Sequence, residues 1–174
     1  MKNRRMFLGF WPNEEQIDQL CAIQSAYVQM GREVPPENLH ITLLFLGSVS
    51  NQVVDTLRHS LSDLRMQPFS VQLDRFGYFD KTKTFWIGPT HVPRQMSDLF
   101  KHVRLQAQRC DVRHLTKKYT PHATLLRQCE RLSTEPIKRA IEWPIDEFHL
   151  IESRMEPEGA HYFTVDTFAL MKHS

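Results

Sequence analysis

The sequence is poor in cysteine and has no apolar run long enough to cross a membrane. Its three cysteines are an odd number without metal-type spacing, so neither a disulfide framework nor a zinc knuckle is expected. The first apolar run, residues 6–11, ends at Pro12 and is too short for a signal-peptide core or a membrane span. These absences predict reduced thiols in a cytoplasmic protein without a membrane partner.

The chain also lacks a strong overall charge, but its cations are unevenly distributed. The formal net charge of +2 at pH 7 names no partner. Between residues 101 and 131, however, eight lysines and arginines stand against two carboxylates. That local excess would attract an anionic ligand. The alternative is a solvated helix face, above all for the cations furthest from His122.

No linker or low-complexity tract divides the 174 residues. A chain of this length with 41% apolar residues can bury a core of its own. Residues 1–174 are therefore expected to form a single domain with two lobes, and nothing in the sequence demands more than a monomer.

What the sequence does contain is an internal repeat. The string HITLLF at residues 40–45 returns 82 positions later as HATLLR at residues 122–127, an offset of about half the chain. Each copy follows a strand, a helix and a connection in the same order. The two halves therefore look like one unit used twice.

Local signals predict the elements around this repeat. A helix should begin after Asn13, with Gln16 completing a capping box, and end at Gly31. A second helix should begin after Ser50, and apolar spacing predicts a third over residues 93–110. The remaining expected elements are strands at 69–73 and 84–87, a short helix around 137–141, and a hairpin that pairs residues 148–153 with 162–170.

Each repeat would present one imidazole and one hydroxyl on the same side of a strand. Side chains alternate across a strand, so His40 and Thr42 share a face, as do His122 and Thr124. Imidazole exchanges protons near neutral pH, and a threonine hydroxyl can donate a hydrogen bond to an oxyanion. Two facing pairs could hold a phosphate, with one histidine as base and the other as acid.

Arg127 distinguishes the two copies, because Phe45 occupies the matching place in the first. A guanidinium beside one motif could fix the orientation of a phosphate. An ideal strand would put Arg127 on the face opposite His122, so it reaches the site only if the strand twists or ends near Leu126.

Each of these features taken singly also has a purely structural interpretation. A lone His-x-Thr is most often a surface pair or a satisfied core pair, and it is the duplication that favours function. A metal site is disfavoured because no carboxylate cluster accompanies the histidines. The seven other histidines are expected to face solvent. Trp86 and Tyr119 are expected to be core aromatics, with base stacking as the alternative.

At these motifs the chain resembles the 2H phosphoesterase superfamily, named for two His-x-Thr/Ser motifs. Within it the sequence is similar to the RNA 2′,3′-cyclic phosphodiesterases, also known as 2′-5′ RNA ligases. The matching strings are NLHITLLFLG at 38–47 and PHATLLR at 121–127, with weaker matches at 7–12, at 85–88, and at Ser153 and Tyr162. Ala123 departs from the larger aliphatic residue usual in the second motif.

The resemblance implies an α+β, bilobal fold in which two pseudo-twofold-related lobes, each with an antiparallel sheet and outer helices, enclose a central cleft. It implies that His40 and His122 are the catalytic acid and base, in an order left open. It also implies that Thr42, Thr124 and Arg127 bind phosphate, without a metal or nucleotide cofactor.

The implied reaction is hydrolysis of a terminal 2′,3′-cyclic phosphate on RNA to a 2′-phosphomonoester, with RNA ends as the partner. Similar chemistry run backwards, with an RNA 5′-hydroxyl in place of water, gives 2′-5′ ligation. Two alternatives stay open: a related enzyme acting on 2′-5′ oligonucleotides or small cyclic nucleotides, and an RNA-end binding protein without turnover.

Overall fold

A computed structural model describes residues 3–171. Three α-helices lie in this range: α1 (Glu14–Ala26), α2 (Asn51–Ser62) and α3 (Arg94–Arg109). The strands are β1 (Asn3–Phe10), β2 (Arg32–Glu33), β3 (Ile41–Ser50), β4 (Phe69–Leu73), β5 (Arg75–Phe79), β6 (Thr84–Gly88), β7 (Ala123–Arg127), β8 (Ile141–Ile145), β9 (Glu147–Glu156) and β10 (Gly159–Ala169).

Local capping explains where the first two helices begin. The Asn13 side chain accepts a hydrogen bond from the Gln16 amide, and the Gln16 side chain accepts one from the Asn13 amide, which is the predicted capping box. Ser50 accepts a bond from the Val53 amide at the start of α2. Both predicted helix starts are confirmed.

The strands form one eight-stranded sheet and one separate pair. The large sheet has the order β10-β9-β1-β3-β7-β6-β5, with β2 also pairing with β7, while β4 pairs with β8. All the recorded pairs are antiparallel. The predicted α+β class with antiparallel sheet is confirmed.

The two halves of the large sheet meet at one residue pair. Strands β9, β1 and β3 form one half and β5, β6 and β7 the other, and Ile41 of β3 pairs with Ala123 of β7. Both side chains are fully buried. The two repeat strands thus cross antiparallel at equivalent positions, and a local pseudo-twofold axis runs through this pair.

Each repeat strand carries a β-bulge at the same place. In β7 the register shifts so that Thr124 and Leu126 face consecutive residues of β6, which leaves Leu125 as the extra residue. In β3 the same shift against β1 leaves Leu43 as the extra residue. Because 43 and 125 differ by the repeat offset, the duplication extends to the irregularities of the backbone.

Two sequence expectations for the peripheral elements are wrong or incomplete. The short helix around 137–141 is not formed; residues 141–145 are β8, whose alternate side chains Ile141, Trp143 and Ile145 are buried against β4. Strand β5 was not expected, because its sequence, RFGYF, shows little alternation of polar and apolar residues.

The first helix also ends earlier than the predicted Gly31. It stops at Ala26 and is followed by a short 3₁₀ turn, Val28–Met30, before Gly31. Val28, which the predicted helix would have included, is 45% exposed. Polar side chains, Gln16 and Gln24, take buried positions on α1 instead. No helix within residues 3–171 is long and apolar enough to span a membrane.

Candidate active site

The crossing of β3 and β7 brings the two motifs together. Continuing the Ile41–Ala123 register by one residue in each direction sets His40 opposite Thr124 and Thr42 opposite His122. The four side chains lie on the side of the sheet away from Ile41 and Ala123, and we call this side the motif face. Each imidazole is therefore beside the hydroxyl of the other motif, in a four-residue square that matches the predicted arrangement.

Both histidines are held by the same backbone contact. Nδ1 of His40 lies 2.7 Å from the carbonyl oxygen of Asn38, and Nδ1 of His122 lies 2.7 Å from that of Thr120. A carbonyl can only accept, so Nδ1 of each neutral ring carries the proton and donates it. Each Nε2 is then left with its lone pair, and Nε2 of His40 lies 3.1 Å from the Thr42 hydroxyl.

Burial keeps both imidazoles neutral near pH 7. Desolvation lowers the pKa of His40 to about 4, with the Arg127 and His122 charges adding to the effect. Desolvation also lowers the pKa of His122, with a further contribution from Arg127. The bond to the backbone carbonyl opposes the shift in each ring. Two neutral Nε2 atoms therefore face the site before any ligand binds.

The bulge at Leu125 turns Arg127 toward the motif face. Leu125 and Leu126 are both fully buried, so the alternation of sides is shifted by one residue and Arg127 is exposed on the side of Thr124. Its charge acts on both histidines, as expected of a nearby group. The Leu125 carbonyl at the bulge accepts hydrogen bonds from the Gln24 side chain at 2.9 Å and from the Val34 amide at 3.0 Å.

An aromatic wall surrounds His40. Its ring centroid lies 5.0 Å from that of Phe7, 5.2 Å from that of Tyr162 and 5.9 Å from that of Trp11. The indole N–H of Trp11 donates to the Thr164 hydroxyl at 3.0 Å, which fixes the rim of the wall. Sequence reasoning gave these aromatics no role, although the positions of Phe7 and Tyr162 were among the weaker family matches.

A second aromatic wall lies beside His122. Its ring is 4.9 Å from Phe79 and 5.6 Å from Trp86. Trp86 is only 4% exposed, as expected of a core aromatic, yet it borders the site rather than the interior of a lobe. The Arg75 guanidinium lies over its ring, 4.9 Å from the centroid. Trp86 therefore carries a guanidinium rather than an open face for a base.

Tyr119 packs as a core aromatic and also contacts the first motif. Its ring stacks on Phe100 of α3 at 4.7 Å, and its hydroxyl donates to the main-chain carbonyl of Thr42 at 3.0 Å. Burial raises the pKa of this hydroxyl, so it remains a donor. The contact links the loop before β7 to the strand that carries His40.

One of the other histidines is buried, contrary to expectation. His149 on β9 is 7% exposed, and its Nδ1 lies 3.0 Å from the Thr167 hydroxyl. His59, His91 and His114 are exposed as expected, and His102 and His161 are half-buried. His173 lies outside the described residues.

Some cations of residues 101–131 bind neighbouring groups of the same segment. Arg104 donates to the Thr116 carbonyl at 2.9 Å, and Arg113 pairs with Asp111 at 3.2 Å. Attraction of an anion by the whole segment stays a prediction.

Among residues 3–171, the side chains grouped closely enough to hold a metal ion are Glu156, Glu158 and His161, at the β9–β10 turn. The motif histidines are not part of that group.

Comparison with known proteins agrees with this geometry. The profile of the 2′-5′ RNA ligase superfamily matches residues 12–174. An RNA 2′,3′-cyclic phosphodiesterase from Escherichia coli (strain K12) is 31% identical over 144 residues, covering 82% of this chain and 81% of the relative. One from Aquifex aeolicus is 27% identical, and the match covers 98% of this chain and 99% of the relative.

Solved structures match over nearly the whole chain. Escherichia coli LigT in its apo form has a TM-score of 0.91 and 27% identity, covering 99% of this chain and 100% of that one. The same protein complexed with 3′-AMP has a TM-score of 0.90 and 26% identity, with the same coverage. With its duplicated His-x-Thr motifs facing each other across β3 and β7, the chain belongs to the 2′-5′ RNA ligase superfamily.

Proposed function

We propose that the protein is an RNA 2′,3′-cyclic phosphodiesterase that opens a terminal 2′,3′-cyclic phosphate to a 2′-phosphomonoester. The observation that carries the proposal is the matched pair of histidines. Each is fixed through Nδ1 to a backbone carbonyl, presents Nε2 to the site and stands beside a threonine of the other motif. Binding alone would not require two identically oriented proton-transfer groups.

The proposed step needs one proton removed and one supplied. One Nε2 takes a proton from water as the water oxygen bonds to phosphorus, and the bond from phosphorus to O3′ breaks. The other histidine, protonated on Nε2, gives its proton to O3′. The 2′-ester bond is kept, so the product is a 2′-phosphate. In ligation an RNA 5′-hydroxyl would take the place of the attacking water: its oxygen bonds to phosphorus, the bond from phosphorus to O3′ breaks, and the kept 2′-ester gives a 2′-5′ linkage.

The remaining groups suit the charge that develops on phosphorus. The hydroxyls of Thr42 and Thr124 can donate to the non-bridging oxygens, and the Arg127 guanidinium can balance their negative charge. A bound phosphate also offsets the effect of Arg127 on the imidazoles and so favours protonation of the acid. All of these residues come from one chain, and we expect the monomer to be active.

The test uses a short RNA ending in a 2′,3′-cyclic phosphate, incubated with the protein and EDTA, with the terminal phosphate of the product identified. We expect the 2′-phosphate, and a loss of at least about a hundredfold in His40→Gln and in His122→Gln. His59→Gln, an exposed histidine on α2, is the matched control. Wild-type turnover in both motif variants would refute the acid/base assignment.

A sulfur-substituted substrate separates the acid from the base. When sulfur replaces O3′ in the cyclic phosphate, the leaving thiolate needs no proton. The variant that lacks the acid should then recover most of its rate, while the variant that lacks the base should not. Recovery in neither variant would argue against proton donation to O3′.

A substrate panel tests the two alternatives. Turnover of 2′-5′ oligonucleotides or small cyclic nucleotides, without turnover of the RNA end, would identify a related enzyme with another phosphodiester. Salt-sensitive RNA binding without any product would identify an RNA-end binding protein.

A further inference from the structure

Arg75 lies in line with His122 on the motif face. It pairs with Gly88 of β6, and continuing the Ile87–Ala123 register sets Gly88 beside His122. Arg75 and His122 are therefore two strand spacings apart, about 10 Å between backbones. Gly88 has no side chain, and the space above it is occupied by the Trp86 ring, which the Arg75 guanidinium covers and which borders His122.

The guanidinium of Arg75 is held in place without being neutralised. Its Nε–H donates to the Pro89 carbonyl at 3.0 Å, and its Cζ lies 4.9 Å from the centre of the Trp86 ring. No carboxylate lies within 4.0 Å of it in the part of the chain that the structure describes. The two terminal nitrogens are thus oriented but free to bind a ligand.

Stacked arginines away from the motif face are neutralised. Arg131 lies over Tyr78 and is paired with Asp80 at 2.7 Å. Arg154 lies over Phe163 and is paired with Glu152 at 2.9 Å. Stacking on an aromatic ring therefore does not by itself leave a free guanidinium in this protein. Arg75 differs from Arg131 and Arg154 in having an open fork, and it lies on the motif face in line with His122.

The pseudo-twofold relation shows that this charge belongs to one half only. The Trp86–Gly77 pair of the second half corresponds to the Gly9–His149 pair of the first. The position equivalent to Arg75 is then occupied by Glu147, whose carboxylate lies 3.5 Å from Nε2 of His149. An anion beside the central phosphate is attracted on the Arg75 side and repelled on the other.

We propose that Arg75 binds the phosphodiester on the 5′ side of the terminal nucleotide, so that the preferred substrate is an RNA end of at least two nucleotides. This inference rests on the proposed function. In RNA that ends in a cyclic phosphate, the nearest other phosphate is one sugar away. A guanidinium fork suits a phosphate and can engage two of its oxygens.

The kinetic test compares three substrates: a nucleoside 2′,3′-cyclic phosphate, the same nucleotide with a 5′-phosphate, and the corresponding dinucleotide. Arg75→Ala should raise KM about tenfold for the second and third, with kcat unchanged, and leave the first unaffected. Arg75→Lys should recover part of the loss. An equal effect on all three substrates, or on none, would overturn the proposal.

A binding test decides the matter without turnover. The wild type and Arg75→Ala are titrated with the dinucleotide carrying a terminal 2′-phosphate at several salt concentrations. Loss of one phosphate contact should reduce the salt slope by about 0.7. An unchanged slope would overturn the proposal. If the wild type opened no cyclic phosphate, the proposed function would be wrong. The binding measurement would still show whether Arg75 contacts a phosphate of the dinucleotide.

Two further variants show whether the change in salt slope is specific to Arg75. Arg154→Ala makes the same change in net charge at a neutralised stack and should leave affinity and salt slope unchanged. Arg5 is the other stacked arginine without a carboxylate partner among residues 3–171, and it lies over Phe45 at 4.8 Å in the first half. If Arg5→Ala, rather than Arg75→Ala, reduced the salt slope, the RNA would extend from the central phosphate toward the first half, and the proposal would be wrong.

Discussion

The hydroxyl of Tyr119 donates a hydrogen bond to the main-chain carbonyl of Thr42 across 3.0 Å. The ring itself stacks almost parallel on Phe100, at an interplanar angle of 5°. Helix α3 therefore fixes the ring, and the ring fixes the strand that carries the first motif. We regard Tyr119 as a positioning residue for the site.

Tyr119→Phe should lower kcat for the cyclic phosphate about fivefold and the free energy of unfolding by about 1 kcal/mol, because one buried hydrogen bond is lost. Activity and urea unfolding measure the two effects. Tyr27→Phe is the matched control, since the Tyr27 ring packs on Phe76 and Phe85 instead. Unchanged kcat together with reduced stability would make Tyr119 a purely structural residue.

Much of the fold is predictable because its signals are local. The caps at Asn13 and Ser50 determine where α1 and α2 begin, and a capping side chain acts within three residues of itself. The helical spacing of apolar residues in 93–110 matches the buried stripe of α3, Met96, Leu99, Phe100, Val103 and Ala107. The repeat likewise identified both motif strands.

What could not be predicted depends on long-range pairing. The sequence gives no sign of the extra residue at Leu125, yet that bulge decides which face Arg127 occupies. The wall around His40 comes from residues in β1, β10 and the segment after β1, and only the sheet order brings them together. The β8 strand is formed against β4, which lies some seventy residues earlier.

The pH dependence of kcat/KM should be bell-shaped with its maximum on the acidic side of neutral. The proposed mechanism needs one imidazole neutral and the other protonated, and both pKa values lie below the ordinary 6.5. The rising limb should follow the pKa of His40, about 4. Above the higher of the two, kcat/KM falls as the protonated partner is lost. A maximum above pH 7 would contradict these pKa shifts.

Arg127→Gln should move both limbs of that profile to higher pH. The Arg127 charge opposes protonation of His40 and His122, so its removal raises the pKa of each. The maximum kcat/KM should also fall about a hundredfold, because the phosphate loses a guanidinium. Arg65→Gln makes the same charge change at an exposed arginine after α2, whose guanidinium bonds to the carbonyls of Ser62 and Leu64, and it should leave the profile in place.

Gly88→Ala should damage the site through the backbone. A Cβ at this position would lie 2.6 Å from the carbonyl oxygen of Pro121 and 2.9 Å from the Trp86 ring. Pro121 precedes His122, so we expect the strain to be relieved by displacing the His122 ring. We expect kcat to fall at least about tenfold and the free energy of unfolding to fall by about 1–3 kcal/mol. Wild-type values of both quantities would show that the backbone around Pro121 moves aside without a measurable cost.

Gln24→Met tests whether the bulge is maintained from α1. The Gln24 amide donates to the carbonyls of Val34 and Leu125, both at 2.9 Å, and the residue is only 2% exposed. Methionine has a similar volume but no donor, so two buried acceptors lose a partner. The free energy of unfolding should fall by about 1–3 kcal/mol.

The functional consequence follows from the position of Leu125. If the bulge loosens, Arg127 is held less firmly on the motif face, and KM for the cyclic phosphate should rise while the histidines stay in place. Gln19→Met makes the same substitution on the same helix, where the side chain bonds only to the exposed Glu15, and should change neither quantity. A loss of stability without a rise in KM would mean that the bulge is fixed by the Val34 amide, because that bond to Leu125 is unaffected by the substitution.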